Sequence, residues 1–181
     1  MKKFLKIAGL VLLSLIVIVL LTALFIKKEY SVEREITLNQ PKQIVFDYVK
    51  YLKNQNNFSV WAEIDPNMKV SFRGTDGTAG FVSAWDSEDK RAGKGEQEII
   101  KITGNERIDY EIRFLEPMKS TDYAFLEFRA ENDSTTSVKW SFYGKMPYPM
   151  NLMLLVMDMD AMLGKDLEGG LKNLKSLLEN K

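Results

Sequence analysis

The chain has 181 residues, 25 basic and 25 acidic side chains, and neither histidine nor cysteine. Without imidazole or thiol it lacks the usual catalytic triads, cysteine nucleophiles, most zinc and iron ligand sets, and any disulfide. Five of the lysines flank one N-terminal apolar segment, which leaves 20 basic against 25 acidic groups elsewhere, a poor footing for nucleic-acid binding.

That segment is the first element. Ile7 to Ile26 is uncharged over 20 residues, interrupted only by Gly9, Ser14 and Thr22. As a helix it reaches about 30 Å, the thickness of a bilayer's hydrocarbon core. A buried core helix would show a polar face, and none is present. A cleavable signal peptide is the rival, but its apolar core would be shorter and would end in small residues, whereas this run ends Leu24-Phe25-Ile26-Lys27-Lys28. The expectation is a single-pass membrane protein: an anchor over residues 1–28, crossing at about 7–26, and one domain over 29–181. Lys2, Lys3, Lys6 and the amino terminus outweigh Lys27 and Lys28 slightly, which favours the domain on the non-cytoplasmic side.

Tyr30 to Leu38 alternates with period two, placing Val32, Arg34, Ile36 and Leu38 on one face of a strand. Asn39-Gln40-Pro41 starts a helix with the apolar stripe Ile44, Val45, Tyr48, Val49 and Leu52. Asn54 to Pro66 is an irregular corner. Strands follow at Met68–Phe72, Phe81–Trp85, Gln97–Thr103, Arg107–Leu115, Tyr123–Ala130 and Ser137–Tyr143, separated by short turn signals. The glycine-rich stretch 74–80 lacks a phosphate-binding Gly-Lys-Ser/Thr ending and joins two strands, so it reads as a hairpin turn. Met150 to Asn180 has helical spacing and predicts one long helix, weakened at Gly164, Gly169 and Gly170. The predicted class is α+β: a curved seven-stranded antiparallel sheet wrapped on a long C-terminal helix, with one transmembrane helix ahead of it. Such a sheet closed by one helix can keep a cavity in its interior.

This order resembles the SRPBCC superfamily (START-like, birch-pollen-allergen-like), in particular its polyketide cyclase/dehydrase-like branch. The matching stretches are Ile36–Tyr51, ITLNQPKQIVFDYVKY; 57–66, NFSVWAEIDP; Trp85–Ile99, WDSEDKRAGKGEQEI; and Met162–Leu178, MLGKDLEGGLKNLKSLL. The resemblance implies a helix-grip fold and an apolar ligand held between the sheet and the C-terminal helix. It supplies no catalytic motif, and an N-terminal anchor sets this chain apart from many relatives.

The ligand-binding candidates follow. Arg34 and Tyr110 are the polar groups aimed inward, able to orient a carboxylate, phosphate or carbonyl, although a paired Arg and a Tyr bonded to backbone or water are the plainer readings. Trp61 and Trp140, with Trp85, are candidates to line or gate the space, and ordinary packing suits each as well. Ile112, Phe128, Met153, Met157 and Leu163 are the candidate apolar wall. The methionine run from Met150 to Met162 has the soft thioethers that suit Cu(I), but flexible methionines more simply form an adaptable apolar surface. No catalytic residue, metal or cofactor is assigned. The expected function is a membrane-tethered binding module for a lipid or other hydrophobic small molecule. Two other classes stay open: a cyclase or dehydratase on a polyketide-like substrate, which needs a Tyr, Asp or Glu of shifted pKa in the cavity, and a protein-interaction module with a filled interior, whose partner the sequence does not name.

Overall fold

The computed structural model describes residues 1–180. Helix α1 (Lys2–Phe25) is apolar on every side and exposed over most of its length, with Ala23 buried near its end. It is long and apolar enough to cross a membrane. Only residues 26–28 separate it from β1 (Glu29–Leu38). Helix α2 (Lys42–Val49) follows, with Pro41 in the cap position, then two short 3-10 turns at Leu52–Asn57 and Val60–Glu63 that form the irregular corner.

The strands β2 (Lys69–Arg73), β3 (Val82–Asp86), β4 (Lys94–Thr103), β5 (Arg107–Glu116), β6 (Ser120–Asn132) and β7 (Thr135–Lys145) make one antiparallel meander. β1 closes on β7, so the spatial order is β1-β7-β6-β5-β4-β3-β2. Register explains this closure. Val32, Arg34 and Ile36 face Phe142, Trp140 and Val138, matching the inner set of one strand to that of the other. Register shifts within β4/β5 and β6/β7 add local bending to the sheet.

The concave face is the core. It buries Ile108, Tyr110 and Ile112 from β5, Ala124, Leu126 and Phe128 from β6, and Val138, Trp140 and Phe142 from β7. The convex face is charged: Arg113 bonds Glu96 at 2.7 Å and Glu98 at 2.8 Å, and also reaches Glu111. These carboxylates push the Arg113 guanidinium further above its ordinary range, against the effect of its partial burial. The turn between β2 and β3 is fastened by Asp76, which accepts from the amides of Leu52 at 2.7 Å, Lys53 at 3.2 Å and Gly77 at 2.9 Å.

One long C-terminal helix was expected; the chain instead divides it. A 3-10 turn (Met150–Leu155) precedes a break, and α3 runs Met159–Glu179. The break is set by Asp158, whose carboxylate accepts from the Ala161 amide at 2.9 Å and so acts as the N-cap. Leu167, Leu171, Leu174 and Leu178 then line the buried stripe of α3. The helix lies mainly against β1, with lesser contact to β7 and the corner, and leaves the β2–β3 side uncovered. Two of its glycines permit this approach. A Cβ at Gly164 would fall 1.9 Å from Arg34 Nη2, and one at Gly170 would fall 2.7 Å from the Trp140 ring.

Candidate functional site

A cavity of about 310 Å3 lies between the concave face and the corner. Its sheet wall is Ser83 and Trp85 of β3, Gln97 of β4, Ile112 and Phe114 of β5, Ala124 of β6, and Trp140 and Phe142 of β7. Its roof is Leu52, Gln55, Ser59, Trp61, Ala62 and Ile64, and α3 adds only Leu163. Asn56, Val70 and Arg91 line it and are exposed, which marks the mouth. The space is thus roofed by the corner more than by the C-terminal helix. The helix is seated on β1 through Gly164 against Arg34 and on β7 through Gly170 against Trp140, which keeps it over that side of the sheet and away from β2 to β5.

All three tryptophans line the space. Trp140 is 2 % exposed and meets Phe58 and Trp61 edge-on, both at 5.8 Å between ring centroids. Trp85 meets Phe114 edge-on at 5.9 Å and donates its indole N–H to the Ala92 carbonyl at 3.0 Å. It sits over Gly95 of the neighbouring strand, where a Cβ would come within 2.4 Å of its ring. The polar groups are few. Gln97 Nε2 donates to Gln55 Oε1 at 3.1 Å across sheet and roof. At the mouth Arg91 pairs with Asp89 at 2.6 Å, and its guanidinium holds that carboxyl down at about 2. Among the described lining residues there is no carboxylate, phenol or lysine.

The structure brings Trp61, Ile112, Trp140 and Leu163 together and places the other candidates elsewhere. Arg34 does face inward opposite Trp140, but its fork takes both oxygens of Asp160 at 2.8 Å and ties β1 to the first turn of α3. That pairing raises the Arg34 guanidinium and lowers the Asp160 carboxyl from their ordinary values. Tyr110 is sealed beneath the lining, 1 % exposed, and its hydroxyl has no partner among the described residues. Burial pushes this phenol far above its usual range. Phe128 packs edge-on to Phe46 at 5.5 Å, closer to the opposite end of β6 from Ala124, where α2 fills the interior. Met153 and Met157 lie outside the cavity, because the break before α3 carries them away from the Leu163 face.

Gln55, Ser59 and Arg91, which lie outside the strands, and Gln97 of β4 were not legible as lining from the sequence pattern. One buried acid beside the cavity was also missed. Asp122, 4 % exposed, is two residues before the lining residue Ala124 and accepts from Tyr30 Oη at 2.9 Å and Ser120 Oγ at 3.0 Å. Burial pushes its carboxyl up, while the two hydrogen bonds pull it back in part. Extending the β6 alternation two residues backward from Ala124 would have found it.

A sequence profile of the family described as polyketide cyclase / dehydrase and lipid transport matches residues 29–179. The chain belongs to this family. The matched residues run from β1 through α3, and α1 lies ahead of them. No curated protein matches the chain significantly. Solved structures do match. A protein from Nitrosospira multiformis superposes with a TM-score of 0.56 at 18% identity, over 81% of this chain and 94% of its own. Ara h 8.0201 gives 0.55 at 15% identity, over 84% and 99%. Truncated norcoclaurine synthase from Thalictrum flavum gives 0.60 at 7% identity, over 84% and 94%. Identities this low establish the helix-grip fold and nothing finer. The family and the fold are those of ligand-binding or cyclase-type domains.

Proposed function

We propose that this protein is a membrane-tethered binding module for a compact apolar molecule, with α1 as the tether and the 29–181 region as the receptacle. The observation that carries the reading is the cavity itself: about 310 Å3, walled by three tryptophans and aliphatic side chains, with a Gln55–Gln97 pair inside and Arg91 at the mouth. That volume is at the lower end for small-molecule sites and equals roughly ten waters. It suits a single acyl chain or a small ring system better than a two-chain lipid. Each 100 Å2 of guest surface removed from water contributes about 2.5 kcal/mol. The glutamine pair offers both donors and acceptors to orient a carbonyl or hydroxyl, and Arg91 offers a charge to a carboxylate that displaces Asp89. The lining gives acid–base chemistry no ionisable group besides Arg91, which favours binding over catalysis as the reading.

The tryptophans make the test direct. A single-chain fatty acid or a polycyclic fluorophore added to the full chain in detergent is expected to change tryptophan emission saturably. Ala124→Phe, which projects a ring into the cavity from β6, is expected to abolish that change while leaving the fold intact by circular dichroism. Identical titrations for the two proteins, with no lipid carried through purification on either, would refute the reading.

A further inference from the structure

Helix α1 does not leave the domain on a flexible linker. Asn151, fully buried, donates its side-chain amide to the Ala23 carbonyl at 2.7 Å and the Ile26 carbonyl at 3.1 Å. The last carbonyls of a helix have no partner of their own, so a residue 128 positions away caps α1. The Met146 amide bonds the Lys28 carbonyl at 2.8 Å, and Lys145 pairs with Glu29 at 2.7 Å, which continues the β1–β7 ladder up to the helix.

The segment that supplies Asn151 is unlike the rest of the surface. From Met146 to Met157 it carries no charge. Tyr148 and Met150 are 40% and 41% exposed, Leu155 63% and Val156 84%. Its depth relative to α1 is fixed by the cap. The Ala23 carbonyl is three residues inside the Ile26 end, about 4.5 Å along the axis of an apolar helix. A segment held at that level beside a membrane-spanning helix lies below the plane where the helix emerges.

We propose that residues 147–157 form a second membrane contact, an apolar loop seated in the boundary between lipid headgroups and acyl chains beside α1, locked in place by Asn151. This rests on the reading of α1 as a membrane span. Tyr148 has the amphipathic ring favoured at that boundary, and Lys27, Lys28 and Lys145 stand beside it to meet anionic headgroups. The chain returns to water at Asp158, the cap of α3. Two contacts, helix and loop, fix the domain's tilt where one helix would let it swing. They also set the cavity close to the lipid: Leu163 of its wall follows the loop by one turn of α3, and Ile64, Met68, Arg91 and Ala92 belong to loops at the end of the sheet where α1 departs.

The absence of cysteine makes single-site labelling clean. Four variants of the full chain, Ser14→Cys, Leu155→Cys, Val156→Cys and Asp133→Cys, would be spin-labelled in phospholipid vesicles. Relative accessibility to oxygen and to a water-soluble nickel chelate then gives depth. Labels at 155 and 156 are expected about 5–10 Å below the headgroup boundary, the label at 14 deeper still, and the label at 133, at the far turn, in water. Removing the cap with Asn151→Ala is expected to raise the mobility and nickel accessibility of the label at 156. Labels at 155 and 156 in water with the label at 14 in hydrocarbon would overturn the second contact and leave the anchor standing. A label at 14 in water would overturn both.

Discussion

Three glycines in α3 give a sharp test of how the helix is seated. Gly164, Gly169 and Gly170 stand in one helix, so replacing any of them by alanine gains about 1 kcal/mol of intrinsic helix propensity. What differs is the neighbour each new methyl meets. At Gly169 it would be 3.0 Å from Val60 Cγ1, a half-buried side chain that needs to give only slightly. At Gly164 it would collide with the Arg34 guanidinium, but that group can swing outward into solvent at the loss of its exposed ion pair to Asp160. At Gly170 it would be 2.7 Å from the Trp140 ring, which is 2 % exposed and held edge-on by Phe58 and Trp61. Carbon contacts settle near 3.5 Å, so ring or helix must move by about 0.8 Å, and such overpacking costs about 1–3 kcal/mol. The expected order is Gly169→Ala stabilised by about 0.5–1 kcal/mol, Gly164→Ala near zero, and Gly170→Ala destabilised by up to about 2 kcal/mol once the propensity gain is set against the overpacking. The last corresponds to a fall of up to about 8 °C in melting temperature for a chain of this size. Urea titration of the full chain in detergent, followed by circular dichroism, measures the order. Gly170→Ala should also shift tryptophan emission, since Trp140 lines the cavity. A Gly170→Ala protein at least as stable as Gly169→Ala would show that α3 is not seated on Trp140 and would refute the reasoning.

Two further outcomes separate structural from ligand-facing polar groups. Tyr110→Phe removes a buried hydroxyl that has no partner among the described residues, so it is expected to be neutral or to stabilise by up to about 1 kcal/mol. A loss beyond about 1 kcal/mol in denaturant titration would show that the hydroxyl is satisfied after all. Asp122 has its folded-state carboxyl raised above the unfolded value by burial. Its folded form therefore holds the proton more tightly, and its contribution to stability is present below the unfolded pKa and lost as pH rises through the folded one. Asp122→Asn keeps an oxygen that accepts from Tyr30 and puts an amide N–H where Ser120 Oγ can accept it, so it is expected to flatten that acidic-to-neutral loss and to gain relative to wild type toward pH 7. Parallel pH–stability curves for the two proteins would contradict this.

Strand positions and inner faces were legible from residue patterns because a half-buried sheet imposes period two, whereas the pairing of β1 with β7 was not. The runs around Val32, Ile108–Ile112 and Val138–Phe142 show it directly. The cavity wall was legible only where it used those same positions, as at Ile112 and Trp140. Gln55, Ser59 and Arg91 come from the irregular corner and a turn, which have no period to read. Arg34 illustrates the opposite difficulty: its inward direction followed from alternation, but its partner Asp160 is 126 residues away and is brought near only by the seating of α3.

The sequence alone determined the long apolar first helix, the seven alternating strands with six of them in meander order, and the leucine stripe of the last helix, because each depends on local spacing and the burial of one face. Tertiary structure decided where the last helix begins, which half of the sheet it covers, and therefore where the interior stays open. Those outcomes turn on close approaches between distant residues: Gly170 on Trp140, Gly164 on Arg34, and Asn151 on the end of α1. Contacts of that kind depend on volume and hydrogen-bond reach in three dimensions, and one-dimensional periodicity carries neither.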